Sequence, residues 1–325
     1  QWLAKWLKPE TPKLPEVSEQ QHRQYEANRS FLGDRKNLQC FTGSRTEGWK
    51  LEGEPVKAKS VQIQFTPKTP TYEINTRDEF NRLKTSLLAA LREEVLPTAF
   101  DSPKVQLQLG GAKTAEGLQQ EEGTLIIDSN LRHNSSLISA KSPSSRMIVL
   151  LTDDTIEEST AAARTLAASG FNVFILETSR LTDRHLRRHA ALVGHTSTSL
   201  QVNDALAAYR ALSQQRKPQA KTIYLMGKGN QAVPAMYAAA VEPGIAGVIL
   251  GDCPNRHDSE TALLGALRFG DVPIFAGLLF PRPCVLTGEQ GKGLEWTANL
   301  YKTLGSEASF HQVETNAESV MAKLP

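Results

Sequence analysis

The sequence predicts an α/β protein built on a doubly wound, mostly parallel sheet with an antiparallel start at its N-terminal side. Three observations carry that expectation. From Arg146 onward, short apolar runs alternate with helical patterns, as in a sheet covered on both faces. Ahead of them, VQLQLGG (105–111) and GTLIIDSNL (123–131) read as an antiparallel pair. Residues 223–240, IYLMGKGNQAVPAMYAAA, read as strand, sharp glycine turn and helix.

The elements follow in chain order. Residues 1–8, QWLAKWLK, place Trp2, Leu3, Trp6 and Leu7 on one helical face, which needs a partner surface. Residues 8–36 are polar, proline-spaced and without periodicity, as linkers are. Residues 1–37 are therefore expected to be the terminal helix of an upstream domain plus a linker. SVQIQFTP (60–67) alternates Val61, Ile63 and Phe65 with polar residues and reads as a half-buried strand. Residues 75–97 read as a helix, with Thr76 as N-cap, Glu79 three residues on, and Pro97 as the stop. Its apolar positions Phe80, Leu83, Leu87, Leu88, Leu91 and Val95 form one stripe. Residues 38–101 are thus expected to pack onto a main domain spanning 102–325.

Within that domain, RMIVLLTDD is a buried strand and TIEESTAAARTLAASG a helix ending on Gly170. FNVFILET is a strand, and a polar stretch leads to the helix LQVNDALAAYRALSQQ. KTIYLMG and AVPAMYAAAVEP flank the glycine turn. GIAGVILGD is a strand, TALLGALRF a helix, RPCVLTGE a strand, GLEWTANLYKTLG a helix and ASFHQVET the last strand.

Composition bounds the function. The chain has 325 residues, 40% hydrophobic and 22% charged, with a net charge of +2. Its densest basic stretch, Arg180 to Arg188, is short and interrupted by Asp183, so it reads as a solvated helix face and no nucleic-acid partner is expected. No run approaches the ~20 apolar residues of a membrane span, and no membrane role is expected. Cys40, Cys253 and Cys284 fit neither a disulfide framework nor a metal spacing, so no metal or cofactor is expected. No signal peptide is visible, which leaves the compartment open.

Residues 227–231 occupy the frame of a nucleophile elbow, in which G-x-S-x-G presents a serine hydroxyl at a strand-to-helix turn. Here the frame holds Gly227, Lys228, Gly229, Asn230 and Gln231, and the tip residue, Gly229, has no side chain with which to attack. The element order, with AMYAAAVEPGIAGVIL, FAGLLFPRPCVLTGE and SLQVNDALAAYRAL, resembles the bacterial acetyl xylan esterase-like, dienelactone hydrolase-like proteins of the α/β-hydrolase fold. WLAKWLK, the linker and SLLAALREEVL resemble the middle of long two-part members, where a first hydrolase domain ends in such a helix and a second follows. The resemblance implies a degenerate C-terminal α/β-hydrolase-like domain of a carboxylic ester hydrolase, a carbohydrate ester as ligand, and a periplasmic or secreted location. Trp2 and Trp6 would contact the upstream domain or another chain.

Carried over by position, the nucleophile falls on Gly229 and the acid in 288–291, where Glu289 is the one carboxylate. The family's histidine belongs in the tail ETNAESVMAKLP, which has none; His311 comes earlier, within the last strand. A serine hydrolase needs nucleophile, base and acid together, so this chain is expected to be inactive. The alternative is an esterase using replacement residues at the same sheet edge. Asp153 follows the strand RMIVLL, and Asp252, Cys253 and His257 follow GVILG, where a Cys–His pair could form a nucleophilic set. Two carboxylates at Asp153 and Asp154 would repel a developing oxyanion. Cys253 also suits loop packing, Asp258 or Ser259 a helix N-cap, and Lys228 an exposed position beside the tip. Asp183, His185 and His189 read as surface charge, and His195 as a loop residue.

Overall fold

The computed structural model describes residues 50–51, 54–55, 68–140, 144–215, 220–288, 293–314 and 316–324. The Trp2/Trp6 helix, the linker, the 60–67 strand and Glu289 lie outside the described residues. The chain divides into two units, Gln1–Pro67 and Lys68–Pro325. In the first, β1 (Lys50–Leu51) and β2 (Glu54–Pro55) pair antiparallel.

The second unit contains a 10-stranded sheet, ordered β12-β11-β10-β9-β7-β8-β6-β5-β3, with β4 also pairing β5. The antiparallel portion comprises β3 (Val105–Leu109), β4 (Lys113–Ala115), β5 (Leu118–Ile127) and β6 (Leu131–Ala140). It joins the rest through an antiparallel β6–β8 pairing. The parallel portion comprises β7 (Arg146–Thr152), β8 (Asn172–Glu177), β9 (Thr222–Lys228), β10 (Gly247–Gly251), β11 (Cys284–Thr287) and β12 (Phe310–Val313). After β7 the chain adds β8 on one side, then returns to add β9 on the other, which makes β7 the switch point.

The period of two in the strands divides the core into layers. Met147, Val149 and Leu151 of β7 face one cluster, and Ile148 and Leu150 the other. The first cluster lies under α1 (Arg77–Ala90), α4 (Ser197–Gln214), α5 (Ala232–Val241), α6 (Val272–Ala276) and α7 (Glu295–Thr303). The second lies under α2 (Ile156–Ala168) and α8 (Ala317–Met321). Between β8 and α4, α3 (Arg184–Leu192) has no buried residue.

Capping follows the sequence closely. Thr76 with Glu79 and Thr155 with Glu158 form full capping boxes, each satisfying otherwise orphaned N–H groups. Three expectations need correction. The 75–97 helix is regular only to Ala90; a π-turn over Leu91–Val95 and a 3₁₀ turn from Pro97 to Phe100 complete it, and the π-turn buries Leu91 and Val95. GTLIIDSNL is not one strand: Asp128 and Ser129 take positive φ and turn the chain into β6, whose polar sequence LRHNSSLISA hid it. TALLGALRF is not a helix, because Gly265 at φ 78 restarts the chain into a 3₁₀ turn over Ala266–Arg268. Asp258 accordingly caps a turn, accepting from the N–H groups of Glu260 and Thr261.

Candidate functional site

The strand-to-helix turn keeps the geometry of a nucleophile elbow. A Cβ on Gly227 would lie 2.1 Å from the carbonyl oxygen of Gln231, so the close return of α5 onto β9 requires glycine there. Gly229 sits at φ +57, the left-handed region favoured by glycine, and a Cβ on it would meet nothing within 4 Å. The turn therefore has room for a tip side chain and carries none. Lys228 is extended and 71% exposed, with Nζ 3.8 Å from Asp252 Oδ2, a loose surface pair. Asn230 is exposed, whereas Gln231 is buried, its Oε1 accepting from Thr178 Oγ1 at 3.2 Å and its Nε2 unpartnered.

Asp252 is half-buried at the end of β10, beside the elbow. It has φ 44, and its N–H donates to the Thr287 carbonyl at 2.8 Å. A Cβ on Gly288 would lie 2.0 Å from Asp252 Oδ1. The Asp252 carboxylate thus fills the space of a side chain just after β11, where the resemblance places the acid. Beyond β7, Thr152 Oγ1 accepts from Asp154 N–H at 3.1 Å and Ser159 Oγ at 3.0 Å, and Arg180 donates to the Asp153 carbonyl. Thr152 is buried and Asp154 exposed.

The other candidates do not converge on the tip. Cys253 is buried and burial pushes its thiol up to about 12, far from a thiolate nucleophile. Both ring nitrogens of His257 are engaged by other residues: Nδ1 is 2.8 Å from Asp271 Oδ1 and Nε2 is 3.0 Å from the Tyr237 hydroxyl. The His257 backbone N–H donates to the same carboxylate at 2.8 Å. Burial raises the Asp271 carboxyl, but hydrogen bonds from the His257 ring and backbone and from Val272 N–H outweigh it and leave the group below its usual range. Hydroxyl, imidazole and carboxylate are thus connected as in a catalytic triad. The hydroxyl, however, belongs to Tyr237 of α5, which is fully buried, with its ionisation pushed far up by burial and by Asp271. Reading 253–258 as a loop set missed both partners, since Tyr237 and Asp271 lie 20 and 14 residues away.

His133 of β6 and Asp204 of α4 form a second buried pair, 71 residues apart in the chain and marked by no local spacing. Nε2 and Oδ1 are 3.1 Å apart but poorly aligned, so the contact is an ion pair more than a hydrogen bond. Burial lowers the His133 pKa, while Asp204, and the backbone and charge of Glu177, raise it further, for a net increase. A folded-state value above the unfolded value near 6.5 means the pair's stabilisation is complete below about pH 6.5 and fades as pH rises through the folded value. Thermal melts from about pH 5.5 to 8.5 are therefore expected to show a decline that Asp204→Asn flattens. An unchanged slope in the variant would rule the pair out as its source.

Cavities of about 760 Å³, walled by Asn203, Asp204 and Arg210, and about 650 Å³, walled by Glu122, Ser135 and Glu177, lie beside the antiparallel strands. Neither is lined by elbow residues. Among the described residues no group of three or more His, Cys, Asp or Glu side chains is arranged to hold a metal.

No protein-family model and no curated protein matches the chain. Solved structures do. A Bacteroides fragilis NCTC 9343 protein, assigned as an acetyl xylan esterase, aligns over 86% of this chain and 86% of its own, with a TM-score of 0.64 at 12% identity. A glucuronoyl esterase from Solibacter usitatus aligns over 79% and 99%, with a TM-score of 0.60 at 11% identity. A CE15 glucuronoyl esterase from Teredinibacter turnerae T7901 aligns over 93% and 98%, with a TM-score of 0.54 at 14% identity. The fold is thus that of the α/β-hydrolases, and these neighbours are carboxylic ester hydrolases. At such identities the chemistry rests on this chain's own residues.

Proposed function

We propose that this chain is a non-catalytic α/β-hydrolase-like domain of an acetyl xylan esterase-like protein, supporting or extending an upstream catalytic domain. The Trp2/Trp6 region would make the contact, and a carbohydrate ester would be the shared ligand. The observation carrying this reading is Gly229: an elbow with the backbone of a nucleophile position and open space above it holds no nucleophile. The second reading, an enzyme using Asp153, Asp252, Cys253 and His257, is weakened by the buried thiol and by an imidazole already engaged by Tyr237 and Asp271.

Loss of triad members costs serine hydrolases on the order of 10⁴–10⁶ in turnover. The purified chain is therefore expected to hydrolyse p-nitrophenyl acetate no faster than buffer. Gly229→Ser is expected to gain nothing, because the tail that should hold the base has no histidine. Turnover that Cys253→Ala abolishes would overturn the non-catalytic reading in favour of the second.

A further inference from the structure

The sheet ends on β3, and the outer side of that strand is open. At the two ends of the β3–β5 pairing, Gly110 N–H donates to the Glu122 carbonyl at 2.7 Å and Asp128 N–H to the Lys104 carbonyl at 2.9 Å. Those bonds fix the parity: even-numbered residues turn their peptide groups toward β5, and Val105, Leu107 and Leu109 turn theirs outward. Among the described residues one contact reaches that outward row, Gln215 Nε2 on the Leu107 carbonyl at 3.5 Å, the outer limit of a hydrogen bond. Exposed edges are ordinarily guarded by a lysine, a proline or a bulge within the strand. VQLQL has none of these, and its five residues pair with β5 in unbroken register.

The row is also self-complementary. A second copy laid antiparallel, with a two-fold axis at Leu107, sets Leu107 against its own counterpart, Val105 against Leu109 and Gln106 against Gln108. Val105, Leu107 and Leu109 share the face that packs on the first core cluster, so each meets an apolar side chain across the seam. Gln106 and Gln108 are exposed on the other face and meet amides. The ends match in charge. Lys104 falls opposite Gly110 of the second copy, which has no side chain, and the next residue along that row is Glu122 of the same copy. Lys104 has no ion-pair partner among the described residues, while Glu122 holds only the exposed Lys113 at 3.0 Å. The two-fold axis repeats this match at both ends. A one-residue shift would bring peptide groups already bonded to β5 to the seam, so the register is specified.

We propose that β3 is a dimerisation edge: two copies of this chain join β3 to β3, antiparallel about Leu107, into one continuous sheet, with Lys104 of each reaching Glu122 of the other. In the sheet order β5, β6, β8 and β7 separate β3 from the elbow strand β9. Dimerisation therefore leaves the elbow open and is independent of whether it is catalytic.

Sedimentation velocity of the full chain from about 1 to 200 μM tests the proposal, a range suited to a seam below the standard interface size. The parent is expected to move from monomer to dimer. Gln106→Glu/Gln108→Glu and Gln106→Lys/Gln108→Lys each set like charges opposite one another on both sides of the axis. Each variant alone is expected to dimerise about tenfold or more weakly than the parent. An equimolar mixture of the two restores opposite charges in the same register and is expected to dimerise at least as well as the parent. Both positions are exposed, so thermal melts matching the parent separate lost pairing from lost folding. A parent that stays monomeric throughout, variants that dimerise as the parent does, or a mixture that fails to dimerise would each overturn the proposal.

Discussion

Replacing Gly227 by alanine is expected to destabilise the main unit by about 3 kcal/mol or more, lowering its melting temperature by roughly 6–12 °C. The added Cβ would lie 2.1 Å from Gln231 O, 2.4 Å from Gln231 C and 2.7 Å from Ala232 N. All three are backbone atoms at the start of α5, so no side-chain rotation relieves the overlap and the helix itself must move. Nine of its residues, Ala232 to Ala240, are buried, so that movement disturbs its contacts with the sheet and with α4. Gly229→Ala, two residues on, is the internal control: it meets open space and bears only the ~1–2 kcal/mol of a left-handed non-glycine residue. Equal melting temperatures for the two variants would show that the close return of α5 is not what Gly227 secures.

The second large effect is expected at Arg282→Met. The guanidinium donates to three carbonyls at the far end of α5 and the approach to β10: Ala239 at 2.6 Å, Ile245 at 2.8 Å and Glu242 at 3.0 Å. It thereby satisfies the Ala239 carbonyl that the helix terminus leaves without an intrahelical partner, ties the two carbonyls beyond it to the same group, and its charge suits the negative end of the helix dipole. Burial lowers its pKa only against a very high starting value, so it stays charged. Methionine keeps most of the stem but removes all three charge-assisted bonds. A loss of about 3 kcal/mol is expected, a large part of the 5–15 kcal/mol typical of a folded domain. Urea denaturation would measure it, with an unchanged m-value showing that the folded state alone was weakened. A midpoint equal to the parent's would mean water replaces the guanidinium at no cost.

Together these residues explain why the elbow was legible in the sequence. Gly227 is demanded by a backbone approach and Gly229 by φ, and the strand and helix on either side have clear periodicities. The parallel strands were equally legible, since β7, β8 and β10 are continuous apolar runs of the kind buried on both faces. What failed was governed by tertiary context. β6 carries His133, Asn134, Ser135 and Ser136 in a strand that no alternation marks, held by backbone pairing to β5 and β8 and by the side-chain contacts of His133 with Asp204, Asn134 with Glu177 and Ser136 with Gln120. TALLGALRF has helical spacing, but a glycine at positive φ ends any such helix before it starts. The Tyr237–His257–Asp271 chain joins three elements and was invisible to local spacing. Asp252 could be placed at the sheet edge from sequence, but its carboxylate over Gly288 could not.

The open space above Gly229 has a bearing on how such a chain changes over generations. Nothing packs against the tip, so drift there to asparagine or aspartate costs little, and drift to serine costs only the ~1–2 kcal/mol of a left-handed backbone. Gly227 tolerates no such drift. The side chain at the tip can therefore change without disturbing the packing of the strand and helix on either side of it.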